Sequence, residues 1–285
     1  GYQPSTQAQT LRTKKTRLVG VILPKINSDT VSRMVAGISD VLSKNGYQLL
    51  LANTNNDIAE ELKYLNLFKD RQVDGILFIA TILTARHKKL LKACQVPVVI
   101  LGQHLDGYSC VYHDDYHAAE QITELLLEHG KVPGFIGVTT KDEAAGLNRK
   151  KGFEAAVRVK KLDCPPERMA EAQFTMESGY EKMKELLKRE PKIDAVFCAT
   201  DNIAIGAMRY LKEIGKSIPH DVELAGIGDT PLAGLVEPAL ATVHLYYKTA
   251  GAEAAAMLVE HMEKEDAVSR ELKMGFEIKK KASVL

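Results

Sequence analysis

The consecutive residues His113, Asp114 and Asp115 are where metal or acid–base chemistry would first be sought in this sequence. Adjacent residues rarely converge on one ion, however, and no HxxxH or CxxC spacing supplies further ligands. We therefore expect no metal site. One acid is expected to cap the helix that follows, and the other to face a ligand.

Two glycine-containing segments resemble phosphate-binding loops, and both are incomplete. Gly226 and Gly228 begin a GxGxxG fingerprint that lacks its third glycine. The Gly-Lys-Ser sequence at 215–217 has Tyr210 where a phosphate-binding loop needs its first glycine, and a predicted helix precedes it. No GxSxG nucleophile elbow is present, and no cysteine has an evident base. The sequence predicts a binding protein that uses no cofactor, and not an enzyme.

Polar side chains instead collect directly after the short apolar runs of the chain. Asn, Thr, Asp and Gln are frequent there; these groups hydrogen-bond hydroxyls well but are poor nucleophiles without an activating base. Ligands of open α/β sheets bind beyond the carboxyl ends of the strands, so these segments form the candidate site. They are residues 24–28, 53–55, 81, 103–104, 139–149, 200–202 and 227–230.

The elements that position these segments are predicted from periodicity. Runs rich in Val, Ile and Leu, too short for helices, alternate with segments whose apolar residues recur every three or four positions. Buried parallel strands are predicted at 18–23, 48–52, 75–80, 98–102, 134–138, 195–199 and 223–226. The alternation predicts an α/β fold of doubly wound parallel sheets, and two halves meeting near 130–133 are more economical than one large sheet. Gly130 is predicted to cap a helix there.

Composition narrows the class of protein. The net charge of +1 gives the 285-residue chain no nucleic-acid-binding character as a whole. Its longest apolar runs are far short of the roughly 20 residues that cross a bilayer, and no charged-then-apolar leader is present. Four cysteines without a CxxC pair are interpreted as core thiols, which favours a reducing cytoplasm.

The first 17 residues differ from the rest of the chain. Five basic residues and no acid precede Asp29. Pro4 can open a short helix in which Ala8 and Leu11, three residues apart, share one face. Such a face beside cations suits a helix that pairs with its twin in a DNA minor groove, where an apolar wedge opens a base step. An unstructured leader is the alternative.

This segment, GYQPSTQAQTL followed by basic residues, resembles the GYxPxxxAxxL hinge of the LacI/GalR family of transcriptional repressors. The remaining chain resembles the periplasmic-binding-protein-like core of the same family over nearly its whole length. The stretches that carry this resemblance are VGVILP at 19–24, QVDGILF at 72–78, VYHDDYHAA at 111–119 with EHG at 128–130, RKKGFEAA at 149–156, FCATDNIAIGAM at 197–208, and 218–243.

The resemblance implies two subdomains joined by three crossovers. A hinge arm of residues 1–17 precedes an N-terminal subdomain of 18–131 with 248–268. The C-terminal subdomain comprises 132–247 with 269–285. A helix-turn-helix headpiece is expected to be missing ahead of Gly1.

In function, the resemblance implies a cytoplasmic repressor core that binds a small sugar or sugar derivative in an interdomain cleft and thereby controls operator binding. Its partners would be operator DNA, through the headpiece and the hinge residues Ser5, Ala8 and Leu11, and a second copy of the chain. The apolar face of 30–45 or 61–71 would form the dimer seam. An extracytoplasmic sugar-binding protein of a transporter shares the fold and is the alternative; the hinge-like segment and the lack of a leader argue against it.

The resemblance also assigns ligand contacts. Arg149 matches the family arginine that binds ligand polar groups, and its guanidinium suits paired hydroxyls or a carboxylate. A surface arginine is the alternative, and its loss is expected to affect folding little. Phe174 matches a ligand-stacking aromatic of some relatives, or is a core residue. Thr200 matches a polar contact, and Asp201 is expected to cap the following helix.

Five further residues are weaker assignments. Asp114 aligns with the family's cleft aspartate, and Asp115 is near enough to exchange roles with it. Asn27 and Ser28 resemble the site only by position. Asp229 follows Gly226, Ile227 and Gly228 where the family carries G-[FY]-D-[DN], so the cleft acid is missing or shifted by one. The family's C-terminal Arg-x-Ser-Val is likewise replaced by Lys-Ala-Ser-Val at 281–284.

Overall fold

The computed structural model describes residues 15–70, 73–264 and 266–285. The hinge residues Ser5, Ala8 and Leu11 lie outside the described residues. Among those that are described, no helix is long and apolar enough to cross a membrane.

The described residues form strands and helices in alternation. The strands are β1 (Leu18–Leu23), β2 (Gln48–Asn53), β3 (Gly75–Ile79), β4 (Val98–Leu101), β5 (Ser109–His113), β6 (Pro133–Gly137), β7 (Met169–Glu171), β8 (Ala195–Cys198), β9 (Glu223–Ala225), β10 (Thr242–Leu245), β11 (Glu271–Met274) and β12 (Phe276–Lys279). The α-helices are α1 (Asp29–Lys44), α2 (Ile58–Asp70), α3 (Ala85–Ala93), α4 (Asp115–Leu126), α5 (Arg149–Val159), α6 (Met176–Arg189), α7 (Asp201–Glu213), α8 (Pro231–Leu235) and α9 (Tyr247–Glu263). A π-helix, Glu143–Asn148, leads into α5, and a 3₁₀ turn, Pro166–Arg168, precedes β7.

The first unit is built on a six-stranded sheet in the order β11-β5-β4-β3-β1-β2. From β2 to β5 neighbouring strands pair in parallel. Every residue of β3 and β4 is buried, as expected for central parallel strands with both faces covered. The phenylalanines Phe68 and Phe78 anchor the apolar cluster on one face of this sheet.

The second unit has a four-stranded parallel sheet in the order β7-β6-β8-β9. A separate antiparallel pair, β10 with β12, belongs to the same unit. Its core gathers around β8, whose residues are all buried, and includes Met183, Leu186 and Leu211 from helices α6 and α7. The predicted class, an α/β fold of two doubly wound parallel-sheet subdomains, is confirmed.

The chain passes between the two units three times. The first unit comprises residues up to Tyr112 and Tyr247–Lys273, and the second His113–Tyr246 and Met274–Leu285. The first crossing therefore precedes the boundary expected after residue 131. Helix α4 accounts for the difference, because it packs on α5 and on strands of the second unit.

Close helix packing in the first unit depends on two glycines. A Cβ at Gly37 of α1 would lie 1.9 Å from the carbonyl oxygen of Lys248, and one at Gly251 of α9 would lie 2.1 Å from that of Met34. Neither position has room for any side chain. The two helices thus approach backbone to backbone.

The start of the described chain is tied to the first unit by one carboxylate. Asp74, just before β3, accepts hydrogen bonds from the backbone N–H and hydroxyl of Thr16 and from the backbone N–H of Arg17, at 2.8–2.9 Å. The ammonium of Lys15 donates to the carbonyl oxygen of Met262 at 3.1 Å, near the end of α9. A cation suits the negative end of a helix dipole.

Two local predictions need correction. Helix α4 ends at Leu126 with Leu127 as its C-cap, so Gly130 does not cap it. Gly130 instead lies against Ala195, where a Cβ would come within 2.4 Å of the Ala195 Cβ. The strand predicted at 134–138 is β6 (Pro133–Gly137), which begins one residue earlier.

Candidate functional site

Arg149 lies at the carboxyl edge of the second sheet in a buried ion pair. It is the first residue of α5, and its guanidinium donates to one carboxylate oxygen of Asp115 at 2.6–2.7 Å. It also donates to the carbonyl oxygen of Ala199, directly after β8, at 2.5 Å. Arg149 is 5% exposed and Asp115 is 3% exposed. The surface-arginine alternative is therefore wrong, and the buried pair argues against the expectation that loss of Arg149 affects folding little.

Arg149 is positioned by the π-helix that directly precedes it. Asp142 caps this turn by accepting from the backbone N–H of Ala145 at 3.0 Å. Gly146 lies so close to the loop after β6 that a Cβ there would be 2.0 Å from the carbonyl oxygen of Thr139. This wide helical turn, a geometry that is frequent at functional sites, brings the start of α5 back onto the strand ends.

The three consecutive residues His113, Asp114 and Asp115 take different directions. Asp114 caps α4 and contacts Nδ1 of His117 at 2.9 Å, whereas Asp115 binds Arg149. His113 is buried, and this burial lowers its pKa to about 4. The three side chains do not converge on an ion. As predicted, one of the two acids caps the helix; the assignment of either acid to a ligand remains a prediction.

A second group of hydrogen-bonded residues, after that of Arg149 and Asp115, surrounds Asp201. The prediction that Asp201 caps α7 is wrong: Thr200 is the N-cap, and its hydroxyl accepts from the backbone N–H of Ile203. The carboxylate of Asp201 accepts instead from the hydroxyl of Thr242 at 2.5 Å and from the backbone N–H of Thr230 at 2.8 Å. Burial raises the pKa of Asp201 even though these hydrogen bonds lower it.

Asp229 is the centre of a third hydrogen-bonded group, whose members come from different parts of the chain. Its carboxylate contacts Nδ1 of His244 and the ammonium of Lys281, both at 3.0 Å, and its backbone N–H donates to Thr242 at 3.2 Å. Burial opposes ionisation of Asp229, but the hydrogen bonds and charges of Lys281 and His244 outweigh it and hold its pKa below the usual range. Thr242 therefore connects the groups around Asp201 and Asp229 into one hydrogen-bond network.

The loop ahead of Asp229 has an unusual backbone. Gly228 has a φ of 145°, and Asp229 itself has a φ of 46°, in the left-handed region. A Cβ at Gly228 would lie 3.3 Å from a carboxylate oxygen of Asp201. A side chain at 228 would thus be both strained and pressed against this buried acid, which explains the glycine at the place where the family pattern has an aspartate.

Phe174 follows β7 and is 38% exposed, so it is not a core residue. It lies at the carboxyl end of its strand, as the ligand-stacking alternative requires. Its side chain does not belong to any of the three hydrogen-bonded groups described above.

At the carboxyl edge of the first sheet, neutral groups connect the loops after β1 and β2, although Lys25 and Asp57 lie in the same loops. The exposed Asn27 and half-buried Ser28 lie in the loop between β1 and α1, and the Ser28 hydroxyl is 3.0 Å from that of Thr30. Asn53, at the end of β2, accepts from the backbone N–H of Ile26 at 3.0 Å and donates to Asn55 at 2.9 Å. Amide and hydroxyl groups therefore connect the two loops of this edge.

Potential metal ligands also come together around His104, in the segment that follows β4. His104 Nε2 lies 2.9 Å from a carboxylate oxygen of Glu271 and 3.6 Å from one of Asp106, on exposed parts of the first unit. Pairing between the imidazole and the two acids accounts for this arrangement.

Sequence reasoning missed the accepting role of Asp201 and the partners Thr230, Thr242, His244 and Lys281. Thr242 and His244 lie on β10, which is too short and too polar to be found by its apolar run. Lys281 did carry a signal, since it stands where the family's C-terminal pattern has an arginine.

Comparison with known proteins assigns the chain to a family. A profile of the periplasmic binding protein-like domain matches residues 111–284. The sucrose operon repressor of Staphylococcus xylosus is 32% identical over 280 residues, covering 97% of this chain and 86% of that protein. The chain belongs to the LacI/GalR family of transcriptional repressors.

Solved structures agree with this assignment. Transcription regulator CcpA of Lactococcus lactis is similar with a TM-score of 0.86 and 29% identity, over 94% of this chain and 99% of that one. The transcriptional regulator CelR in complex with cellobiose has a TM-score of 0.87 and 26% identity, over 94% and 85% of the two chains. These LacI/GalR relatives are transcription regulators and not enzymes. They favour the repressor prediction over the transport alternative.

Proposed function

We propose that this chain is the effector-sensing core of a cytoplasmic, ligand-controlled transcriptional repressor, and that its effector is a sugar or sugar derivative. The observation that carries the proposal is the collection of charged and hydroxyl groups at the carboxyl edge of the second sheet. Arg149 with Asp115, and Asp229 with His244 and Lys281, present donors and acceptors in fixed positions. A polyol needs such alternating partners, because each hydroxyl both donates and accepts.

Both units contribute proposed contacts to the effector. In the second unit, the effector contacts are Arg149 with its partner Asp115, Asp114, Thr200, Asp229 and the exposed ring of Phe174. In the first unit they are Asn27 and Ser28. Names of relatives support a sugar: one is a sucrose operon repressor, and another was solved with cellobiose.

A thermal-shift screen of the chain tests the ligand class. The probes are sucrose, cellobiose, ribose and their phosphates, with glycerol as a control for general polyol effects. A ligand at about 100 times its Kd stabilises the folded state by about 2.7 kcal/mol, which shows as a raised Tm. If none of the sugars raises Tm above the glycerol control, the effector assignment fails.

The DNA-binding part of the proposal concerns a homodimer and the hinge residues Ser5, Ala8 and Leu11. Leu11→Ala in the full-length protein should weaken operator binding in mobility-shift assays and leave sugar binding unchanged, because an apolar wedge in the minor groove would be lost. Equal operator affinity for both proteins would refute the wedge. Sedimentation of the full-length protein as a monomer at micromolar concentration would refute the dimer.

A further inference from the structure

The second unit has a cavity of about 450 Å³ at the far end of α5. Its apolar floor is formed by Phe153, Val157, Leu162 and Met169, and Arg158 and Lys161 stand at its rim. Glu154 and Cys164 complete the lining, and these eight residues define the α5 cavity. Small-molecule pockets have volumes of about 300–1,000 Å³ and combine apolar walls with a few polar groups. The α5 cavity falls within this range.

The two rim cations take no part in the ion pairs of the described residues. Arg158 and Lys161 are exposed, and among the described residues no acid lies within ion-pair distance of either. The nearby acids have other partners: Glu154, which also lines the cavity, is 3.8 Å from Lys150, and Asp163 is 3.1 Å from Arg168. The cations therefore leave a positive rim over an apolar floor.

Helix capping does not account for these cations either. Lys161 has a φ of 55°, and backbone N–H groups of Lys160, Lys161 and Leu162 donate to the last carbonyls of α5 at 3.0–3.1 Å. The helix end is thus closed by its own backbone. The carbonyls of Ala156, Val157 and Arg158 therefore need no lysine or arginine side chain as donor.

We propose that the α5 cavity binds a small amphipathic anion, with an apolar body on the floor and a single carboxylate, sulfonate or phosphate head between Arg158 and Lys161. The site differs from the effector site. Arg149 begins α5 and the cavity lies at its other end, about 15 Å along the helix. The repressor core would then accept a second ligand class, unrelated to sugars.

Titration calorimetry with sodium decanoate, below its micelle concentration, tests this proposal. The protein should bind decanoate saturably at one site. Lys161→Glu should weaken binding at least tenfold, whereas Lys160→Glu, an equal charge change at an exposed neighbour that does not line the cavity, should change it less than twofold. Decanol lacks the charge and butyrate lacks the body, so each should bind at least tenfold more weakly than decanoate.

A filling variant provides an independent check. Leu162→Trp should abolish decanoate binding, and because the chain has no other tryptophan, its emission reports whether the indole occupies the apolar floor. Unchanged circular dichroism and Tm would confirm folding. Absence of saturable binding, equal weakening by Lys160→Glu, or undiminished binding to a folded Leu162→Trp would overturn the proposal. Loss of binding in a folded Arg149→Ala variant would place decanoate at the effector site instead.

Discussion

The two units share a strand–helix alternation but differ at their carboxyl edges. In the first unit, Asn53 and Ser28 contact neutral amides, hydroxyls and backbone groups. In the second, Arg149, Asp201 and Asp229 are charged or titratable groups held by near neighbours.

This difference concerns energetics as well as chemistry. A buried charge that loses its partner destabilises the fold strongly, whereas loss of one neutral surface hydrogen bond costs about 1 kcal/mol. The ligand contacts that we propose in the second unit are therefore also structural contacts. Those that we propose in the first unit can change with little effect on stability, so we expect changes of ligand specificity to be easier to accommodate there.

The largest expected effect is at Asp115. Asp115→Ala leaves the Arg149 guanidinium buried without its carboxylate, and should lower the free energy of unfolding by about 3–5 kcal/mol in urea denaturation. Asp114→Ala, which removes a helix cap and a contact with the exposed His117, is the matched control and should cost about 1 kcal/mol. The double variant Asp115→Leu/Arg149→Met should recover part of the loss. Equal effects of the Asp114 and Asp115 variants would contradict the buried-pair interpretation.

His113 should make the second unit sensitive to acid. Its folded pKa of about 4 lies below the ordinary 6.5, so between these values the unfolded chain binds a proton that the folded chain does not. Stability contributed by His113 is therefore lost as pH falls from 6.5 to 4, up to about 3 kcal/mol. Urea denaturation of the His113→Asn variant should show a smaller change over this range. The same pH dependence in both proteins would assign the effect to other groups.

The next largest loss of stability is expected for substitution of Asp201. Asp201→Ala strands the hydroxyl of Thr242 and the backbone N–H of Thr230, which should lower stability by about 2–3 kcal/mol. Thr242→Val removes the donor to Asp201 and the acceptor for the Asp229 N–H, but it leaves the Thr230 N–H bound to Asp201 and should cost less. A loss below 1 kcal/mol for Asp201→Ala would show that water replaces the carboxylate.

The smallest effect is expected at the first unit's edge. Asn53→Ala removes the acceptor for the Ile26 N–H at an exposed position and should cost about 1 kcal/mol or less by the same denaturation assay. A loss as large as that of Asp201→Ala would remove the distinction between the two edges.

The sequence predicted long apolar strands well, and β1 at residues 18–23 was predicted with its observed bounds. Buried parallel strands are recognisable because both faces are apolar. Short strands such as β7 and β10 were missed, since three or four mixed residues have no detectable periodicity. The early crossing at residue 113 depends on where α4 packs, which is a long-range property.

The candidate site was predictable to the level of segments. The rule of strand carboxyl ends located Arg149, Thr200 and Asp229, because it follows from topology. Individual pairings were not predictable. That Asp115 rather than Asp114 contacts Arg149, and that Asp201 binds Thr242 instead of capping α7, depends on side-chain positions brought together by distant parts of the chain.

The attachment of Lys15, Thr16 and Arg17 has a mechanical consequence. Tension applied to the chain ahead of Lys15 would be borne by the carboxylate of Asp74 and by the end of α9, before it reaches the hydrogen-bond ladder of β1. Asp74 adjoins the central strand β3, and α9 is packed backbone to backbone on α1. A load from this segment would therefore be shared by an interior strand and by the two closely packed helices of the first unit.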